Sequence, residues 1–170
     1  MIKSKLLAIA LTTGLLSAGA ASAANPATAT FLVSATVLKT CTVSATPLAF
    51  GNYTPGSGAI SNTSSINVAC TNGSPYTMTV NGGSTTGGSI TQRLMTNGTQ
   101  TLQYNLYTTN TFTTLLGDGT TGGSAKVTGT GAGLATASTT TVYGQLPDST
   151  ANQAVPPGSY TDTVTVSVAY

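Results

Sequence analysis

Tyr160-Thr161-Asp162-Thr163-Val164-Thr165-Val166-Ser167-Val168-Ala169-Tyr170 is the stretch that decides the fold. Tyr160, Val164, Val166, Val168 and Tyr170 occupy alternate positions, with Thr161, Thr163, Thr165, Ser167 and Ala169 between them. A period of two sends the two sets to opposite faces of a pleated strand, one apolar and the other mostly hydroxylated. Asp162 interrupts the apolar set, and a structural hydrogen bond to a neighbouring turn is its expected role. A second alternation lies far upstream, where Ala27, Ala29, Phe31, Val33, Ala35 and Val37 interleave with Thr28, Thr30, Leu32, Ser34, Thr36 and Leu38.

Between these ends the pattern repeats on a shorter scale. The 170 residues include 36 Thr and 17 Ser. Short apolar alternations predict strands at Ala27–Val37, Cys41–Thr46, Ile60–Cys70, Tyr76–Val80, Leu102–Tyr107, Ala125–Thr130, Thr139–Leu146 and Tyr160–Tyr170. Turn residues separate them: Asn52 to Gly56, Asn72 to Pro75, Asn81 to Gly83, Asn97-Gly98, Gly117 to Gly119 and Pro156 to Gly158. No segment beyond the first two dozen residues sustains apolar residues at i, i+3, i+4 and i+7. The expected class is all-β, a sandwich of two antiparallel sheets. A membrane barrel needs longer strands and aromatic girdles, which seven Tyr and three Phe cannot supply.

The first residues read differently. Lys3 and Lys5 precede the apolar run Leu6 to Leu16 and the small residues Ser17 to Ala24, with Ala21-Ser22-Ala23 as an A-x-A cleavage site. This predicts a secretory signal peptide over 1–23 and a mature chain starting at Ala24. The run is too short to span a bilayer comfortably, so no direct membrane insertion is expected. What remains holds Lys39, Arg93 and Lys126 against Asp118, Asp148 and Asp162, a net charge near zero. Three scattered cations cannot provide the field that nucleic acid or anionic lipid requires, so no nucleic-acid partner is expected. A nearly uncharged chain also lacks the self-repulsion that keeps copies apart, which suits an assembled extracellular polymer.

Chemistry is scarce. There is no His, Trp or Glu. A Zn site built on Cys41 and Cys70 would lack further ligands of the usual kind. In an exported chain the expected arrangement is a disulfide between them, closing a loop of about 30 residues and contributing roughly 3.6 kcal/mol in the chain-entropy picture. Hydrolases need a nucleophile with a base, or two carboxylates across a bond, and only three Asp are present, two of them in turn-like contexts. No catalytic residue, cofactor or metal is expected. Gly117-Asp118-Gly119-Thr120-Thr121-Gly122 satisfies G-x-G-x-x-G, but no helix is predicted after it, so it is read as a chance match. Asn62-Thr63-Ser64 and Asn97-Gly98-Thr99 match the glycosylation pattern, as so many hydroxyl residues make unavoidable. The seven tyrosines together are the candidates for a carbohydrate-stacking platform, the binding-module alternative; of these, Tyr76, Tyr104 and Tyr143 fall in predicted strands and are expected in or beside the core, and Tyr53 and Tyr107 are left unassigned.

Pattern leaves the end segments open to two readings: two ordinary strands of one complete sandwich, or an N-terminal strand that inserts into another copy. A resemblance separates them. Phe31 to Val43, followed by Pro47-Leu48-Ala49-Phe50-Gly51-Asn52-Tyr53, resembles the start of the spore coat protein U domain. Pro157 to Tyr170 resembles its C-terminal signature, and Ile66 to Thr71 and Val142 to Pro147 are similar to intervening stretches. That family includes the major subunits of archaic chaperone-usher pili. The resemblance implies an incomplete immunoglobulin-like sandwich whose groove is filled first by a periplasmic chaperone and then by the N-terminal strand of the next subunit. Residues 24–38 become the donor segment, with Ala27, Ala29, Phe31, Val33, Ala35 and Val37 as its inserting face. Residues 39–170 become the pilin domain, with Tyr160, Val164, Val166, Val168 and Tyr170 as the receiving and chaperone-binding strand. Implied partners are identical subunits in a head-to-tail polymer, the chaperone, an outer-membrane usher and a tip adhesin. The implied location is a surface fimbria reached through the periplasm, serving adhesion and biofilm formation. The alternative is a secreted coat or adhesin module of the same fold that binds a glycan or a surface.

Overall fold

The structure is a computed structural model, and it describes residues 25–170. The expected signal peptide over 1–23 and its cleavage site lie outside the described residues. The chain divides into two units, the residues up to Ala35 and Thr36–Tyr170.

In the first unit, residues 25–35 carry no helix or strand, and all are exposed. The strand expected over Ala27–Val37 is therefore not formed as a hydrogen-bonded element. Alternation alone does not make a strand: its N–H and C=O groups need an edge to pair with, and water serves them otherwise.

The second unit holds eight strands: β1 (Cys41–Ala45), β2 (Ile60–Cys70), β3 (Pro75–Val80), β4 (Arg93–Thr96), β5 (Thr101–Tyr107), β6 (Val127–Thr130), β7 (Ser138–Leu146) and β8 (Val166–Ala169). They form a five-stranded sheet, order β1-β2-β7-β5-β4, and a three-stranded sheet, order β6-β3-β8. Every pairing between these strands is antiparallel. Ile66, Val68 and Cys70 of β2, Val142 of β7, Tyr104 and Leu106 of β5, and Tyr76, Met78 and Val80 of β3 pack between the sheets, joined by Leu116. The expected all-β sandwich of two antiparallel sheets is what forms.

Cys41 and Cys70 lie opposite each other in the β1–β2 register and are joined by a disulfide, their Cα atoms 4.0 Å apart. The adjacent Thr71 N–H donates to the Thr40 carbonyl at 2.9 Å, so the cysteines occupy a non-hydrogen-bonded pair, where opposed side chains approach most closely.

Three local departures have physical causes. β4 was not expected, because a strand opening on Arg93 does not read as one. Arg93 is nonetheless fully buried: its Nε and Nη2 donate to the Asn81 carbonyl at 3.0 and 2.7 Å, Nη2 also to the Leu116 carbonyl at 2.8 Å, and Nη1 to the Ile90 carbonyl at 3.3 Å. Burial lowers its pKa. A second departure is the short helix α1 (Thr150–Gln153), started by Ser149, whose Oγ accepts from the Asn152 N–H at 3.2 Å. Beyond Asn105–Gln145 the β5–β7 register would place Pro147 against Gln103, and proline has no N–H to give. The buried Asn152 side chain takes that place, accepting from Gln103 N–H at 2.8 Å and donating to Gln103 O at 2.9 Å and Pro147 O at 2.7 Å. The third is β8, which is shorter than the alternation from Tyr160 suggests. Residues 161–165 remain tied to the molecule, but not by a continuous ladder: Thr161 and Thr96, the last residue of β4, exchange both backbone bonds in an isolated antiparallel bridge, Thr163 N–H donates to Ser84 Oγ, and Thr165 N–H donates to Asn81 Oδ1.

Candidate functional site

One edge of β8 is occupied and the other is open. Thr165 accepts from Asn81 N–H, which fixes Ser167 and Ala169 as the residues whose backbone groups point at β3. In an antiparallel ladder alternate residues aim both groups the same way, so Val164, Val166 and Val168 present theirs to the opposite side. Among the described residues no strand pairs with that side, since β8 ends its sheet. The same three valines turn their side chains toward the core and pack against it while remaining only partly buried.

Across from this edge runs the chain that follows β1. Thr46 N–H still donates to the Ser65 carbonyl at 2.9 Å, after which Pro47 to Tyr53 leaves the sheet. Leu48 and Phe50 pack on the core, Phe50 edge-on to Tyr104 with ring centroids 6.0 Å apart. They sit over Gly144, where a Cβ would meet Leu48 Cδ1 at 2.6 Å, so the absence of a side chain at 144 lets this wall approach. Asn62 Nδ2 holds the Ala49 carbonyl at 2.6 Å.

The two walls enclose an apolar cleft of about 1010 Å³. Its floor is the core itself: Ile66, Val80, Leu102, Tyr104, Leu106, Leu116, Val142 and Leu146. Val43, opposite Val68 in the β1–β2 register and so on the same face of the sheet, is 44% exposed.

Carboxylates anchor each wall. Asp162 Oδ1 accepts from Ser84 N–H at 2.9 Å, Ser84 Oγ at 3.1 Å, and Thr85 N–H and Oγ1 both at 3.0 Å, while Oδ2 accepts from Tyr104 OH at 2.6 Å. Burial alone would raise its pKa, but these donors outweigh it and the net shift is downward. Tyr104 moves up, by burial and then by its bond to the carboxylate. Asp148 accepts from Tyr53 OH at 2.5 Å and from the Gly56 and Gly58 N–H groups at 3.0 and 2.9 Å, which holds its carboxyl down to about 2. Desolvation and this partner push Tyr53 up to about 12. Asp118 is spent on its own turn, accepting from the Thr120 and Thr121 N–H groups, Thr121 Oγ1 and Ser124 Oγ, with its pKa well below the usual carboxylate range. That turn ends in a single 3₁₀ turn at Thr121–Gly123 with Gly122 at φ 60°, not the helix a dinucleotide fingerprint needs.

Of the residues expected to form the receiving strand, Tyr160, Val164 and Val166 line the cleft, Val168 packs against the core beyond its end, and Tyr170 is exposed. Ala27, Ala29, Phe31, Val33, Ala35 and Val37 are all exposed, Phe31 by 86%, Val33 by 79% and Val37 by 82%. Sequence reasoning missed the second wall, Pro47 to Tyr53, as part of the site, although the spacing of Leu48 and Phe50 around Ala49 is the period-two signal that could have found it.

The architecture defines a class: an immunoglobulin-like β-sandwich with an open edge beside an apolar cleft. The Spore Coat Protein U domain matches residues 27–167, and the chain belongs to that family. Among solved structures it is similar to a chain of the crystal structure of the CsuC–CsuE chaperone-tip adhesion subunit pre-assembly complex from the archaic chaperone-usher Csu pili of Acinetobacter baumannii. The identity is 23% and the TM-score 0.53, over 79% of this chain and 40% of that one. The present chain thus spans less than half the length of that neighbour, and the likeness is one of fold. No curated protein sequence matches it.

Proposed function

We propose that this protein is a pilus-type structural subunit whose sandwich is completed by an extended segment from a neighbouring copy. The observation that carries this reading is the unpaired edge of Val164, Val166 and Val168 above an apolar cleft floored by the core. An edge of that kind is a template for another chain, and leaving it uncovered invites aggregation. Strand addition answers both needs, with main-chain bonds giving affinity and alternate side chains giving register.

The segment 24–38 is the proposed donor. Ala27 to Val37 spans about 33 Å when extended, the same number of residues as the alternating segment Tyr160–Tyr170. Phe31, Val33 and Val37 gain most from insertion, each large apolar side chain being worth roughly 1.5 to 3 kcal/mol before ordering costs. A head-to-tail contact of this type is heterologous and grows an open filament. Before assembly, a periplasmic chaperone holds the same edge. An outer-membrane usher, a tip adhesin and a place on the cell surface belong to the same reading, as do adhesion and biofilm formation. Catalysis has no part in it, since each carboxylate is already engaged by loop donors.

The test is electrophoretic. Assembled material should resist detergent at room temperature and fall to subunit mass on boiling. Removing residues 24–35 should abolish the ladder while leaving the folded domain able to accept a synthetic peptide of residues 25–38. A truncated protein that still polymerises would sink the donor assignment.

A further inference from the structure

The opposite face of the five-stranded sheet carries a surface of aromatic and amide side chains. Leu102, Tyr104, Leu106, Val142 and Leu146 line the cleft, so their alternates Gln103, Asn105, Tyr107, Tyr143 and Gln145 occupy the outer face. There Asn105 lies opposite Gln145, and Tyr107 opposite Tyr143. The Tyr107 ring is braced by Phe112, edge-on at 5.5 Å between centroids, and Phe112 holds a left-handed backbone conformation at φ 54°. Beside this platform is a depression of about 380 Å³, lined by Gln92, Gln103, Asn105, Tyr107, Gln145 and Pro147 among others.

The chemistry of the depression is selective. None of its lining residues is charged, and the guanidinium of the neighbouring Arg93 is turned inward onto backbone carbonyls. Asn105 is committed, accepting from Arg93 N–H and donating to the Thr91 carbonyl at 2.9 Å. The side-chain amides of Gln92, Gln103 and Gln145 have no hydrogen-bond partner among the described residues, so each offers two donors and an acceptor. Ring faces beside uncommitted amides complement a molecule with apolar C–H faces and a rim of hydroxyls, and the lack of charge disfavours an acidic one.

We propose that this face binds a neutral oligosaccharide, one sugar ring stacked on Tyr107 beside Tyr143 and its hydroxyls held by Gln92, Gln103 and Gln145. The site lies on the far side of the sheet from the cleft and does not depend on polymerisation. In a filament it would recur once per subunit, multiplying a weak single contact by effective concentration.

The experiment is calorimetric titration of the full mature protein with cellohexaose, maltohexaose, xylohexaose and mannohexaose, and with an oligogalacturonide of equal length as the acidic control. At least one neutral hexaose should bind, with affinity independent of salt. Tyr107→Ala should weaken it about tenfold and Tyr107→Phe should restore it, because the ring face and not the hydroxyl carries the contact. The pair Gln103→Ala and Gln145→Ala should weaken it roughly as much without shifting the melting temperature, which keeps the test decisive if Tyr107→Ala fails to fold. Failure of all neutral hexaoses to bind, tighter binding of the acidic oligomer, or affinity that survives both sets of variants would overturn the assignment.

Discussion

Asp162→Asn isolates what the carboxylate contributes to the wall that carries the open edge. The residue stands in the inward-facing set of the edge strand, where the alternation calls for an apolar side chain, and it accepts five hydrogen bonds. Asparagine keeps the shape and can keep most of the bonds: its Oδ1 still faces Ser84 and Thr85, and the Tyr104 hydroxyl can turn to accept from Nδ2. What disappears is the charge. Charge-assisted bonds exceed neutral ones by about 1 kcal/mol each, and water reaches the Ser84 side, so the sum reduces to about 2 kcal/mol. For a chain of this size that lowers the melting temperature by about 4 to 8 °C at neutral pH. The pH dependence carries a definite sign. The folded-state pKa of Asp162 is lowered, so its contribution is complete above the ordinary carboxylate value near 3.8 and is lost as pH falls through the depressed folded value. Thermal unfolding of wild type and variant from pH 7 downward should therefore show two melting curves converging in acid. A gap that stays constant with pH would mean the variant acts through packing, and a gap under about 1 °C at pH 7 would refute the anchoring role.

Gly83→Ala should destabilise through the same contact, because the added Cβ would lie 2.0 Å from Asp162 Oδ2 at a residue with φ +93°. Combined with Asp162→Ala its effect should be clearly less than additive in a double-mutant cycle, since the clash disappears with the carboxylate. Asn152→Ala should cost about 2 to 4 kcal/mol in urea unfolding, because it strips three hydrogen bonds from a fully buried position and leaves the Gln103 N–H with no strand neighbour.

The strands with a clean period of two were legible in the sequence: β2, β5 and β7 fall within a residue of their expected ends. So was the disulfide, because two cysteines in an exported chain have few other uses. Asp162 was legible in kind, as a hydrogen-bond acceptor for a turn, though not in its partners Ser84, Thr85 and Tyr104. What stayed hidden depends on contacts distant in sequence. β4 is a strand because four carbonyl contacts from Asn81, Ile90 and Leu116 receive a cation that composition would place in water. The turn of helix at Thr150–Gln153 exists because Pro147 leaves Gln103 without a partner, a need visible only once the β5–β7 register is known. The outer platform was not legible: Tyr107 had no assigned role, Tyr143 was expected in or beside the core but stands on the outer face of its sheet, and Gln103 and Gln145 gained meaning only when the register brought them to one face.

The distribution of anchors bears on how the cleft works. Tyr53 and the Gly56–Gly58 loop are tied to Asp148, Ala49 to Asn62, and β1 to β2 by the disulfide. The opposite wall is tied to Ser84, Thr85, Tyr104, Asn81 and Thr96. Among the described residues no hydrogen bond joins residues 45–53 to residues 159–166 across the gap. Each wall is thus fixed to the body independently, and neither leans on the other. If the proposed donor inserts here, it need not order walls that are already fixed separately, and less of its contact energy is lost to ordering. The arrangement also separates two mutational effects. On the proposed reading, changes on the floor or walls, at Val166 or Leu106 for example, should alter fit and folding together, whereas loosening a single anchor such as Asp148 should leave the opposite edge in place and weaken binding of a peptide of residues 25–38.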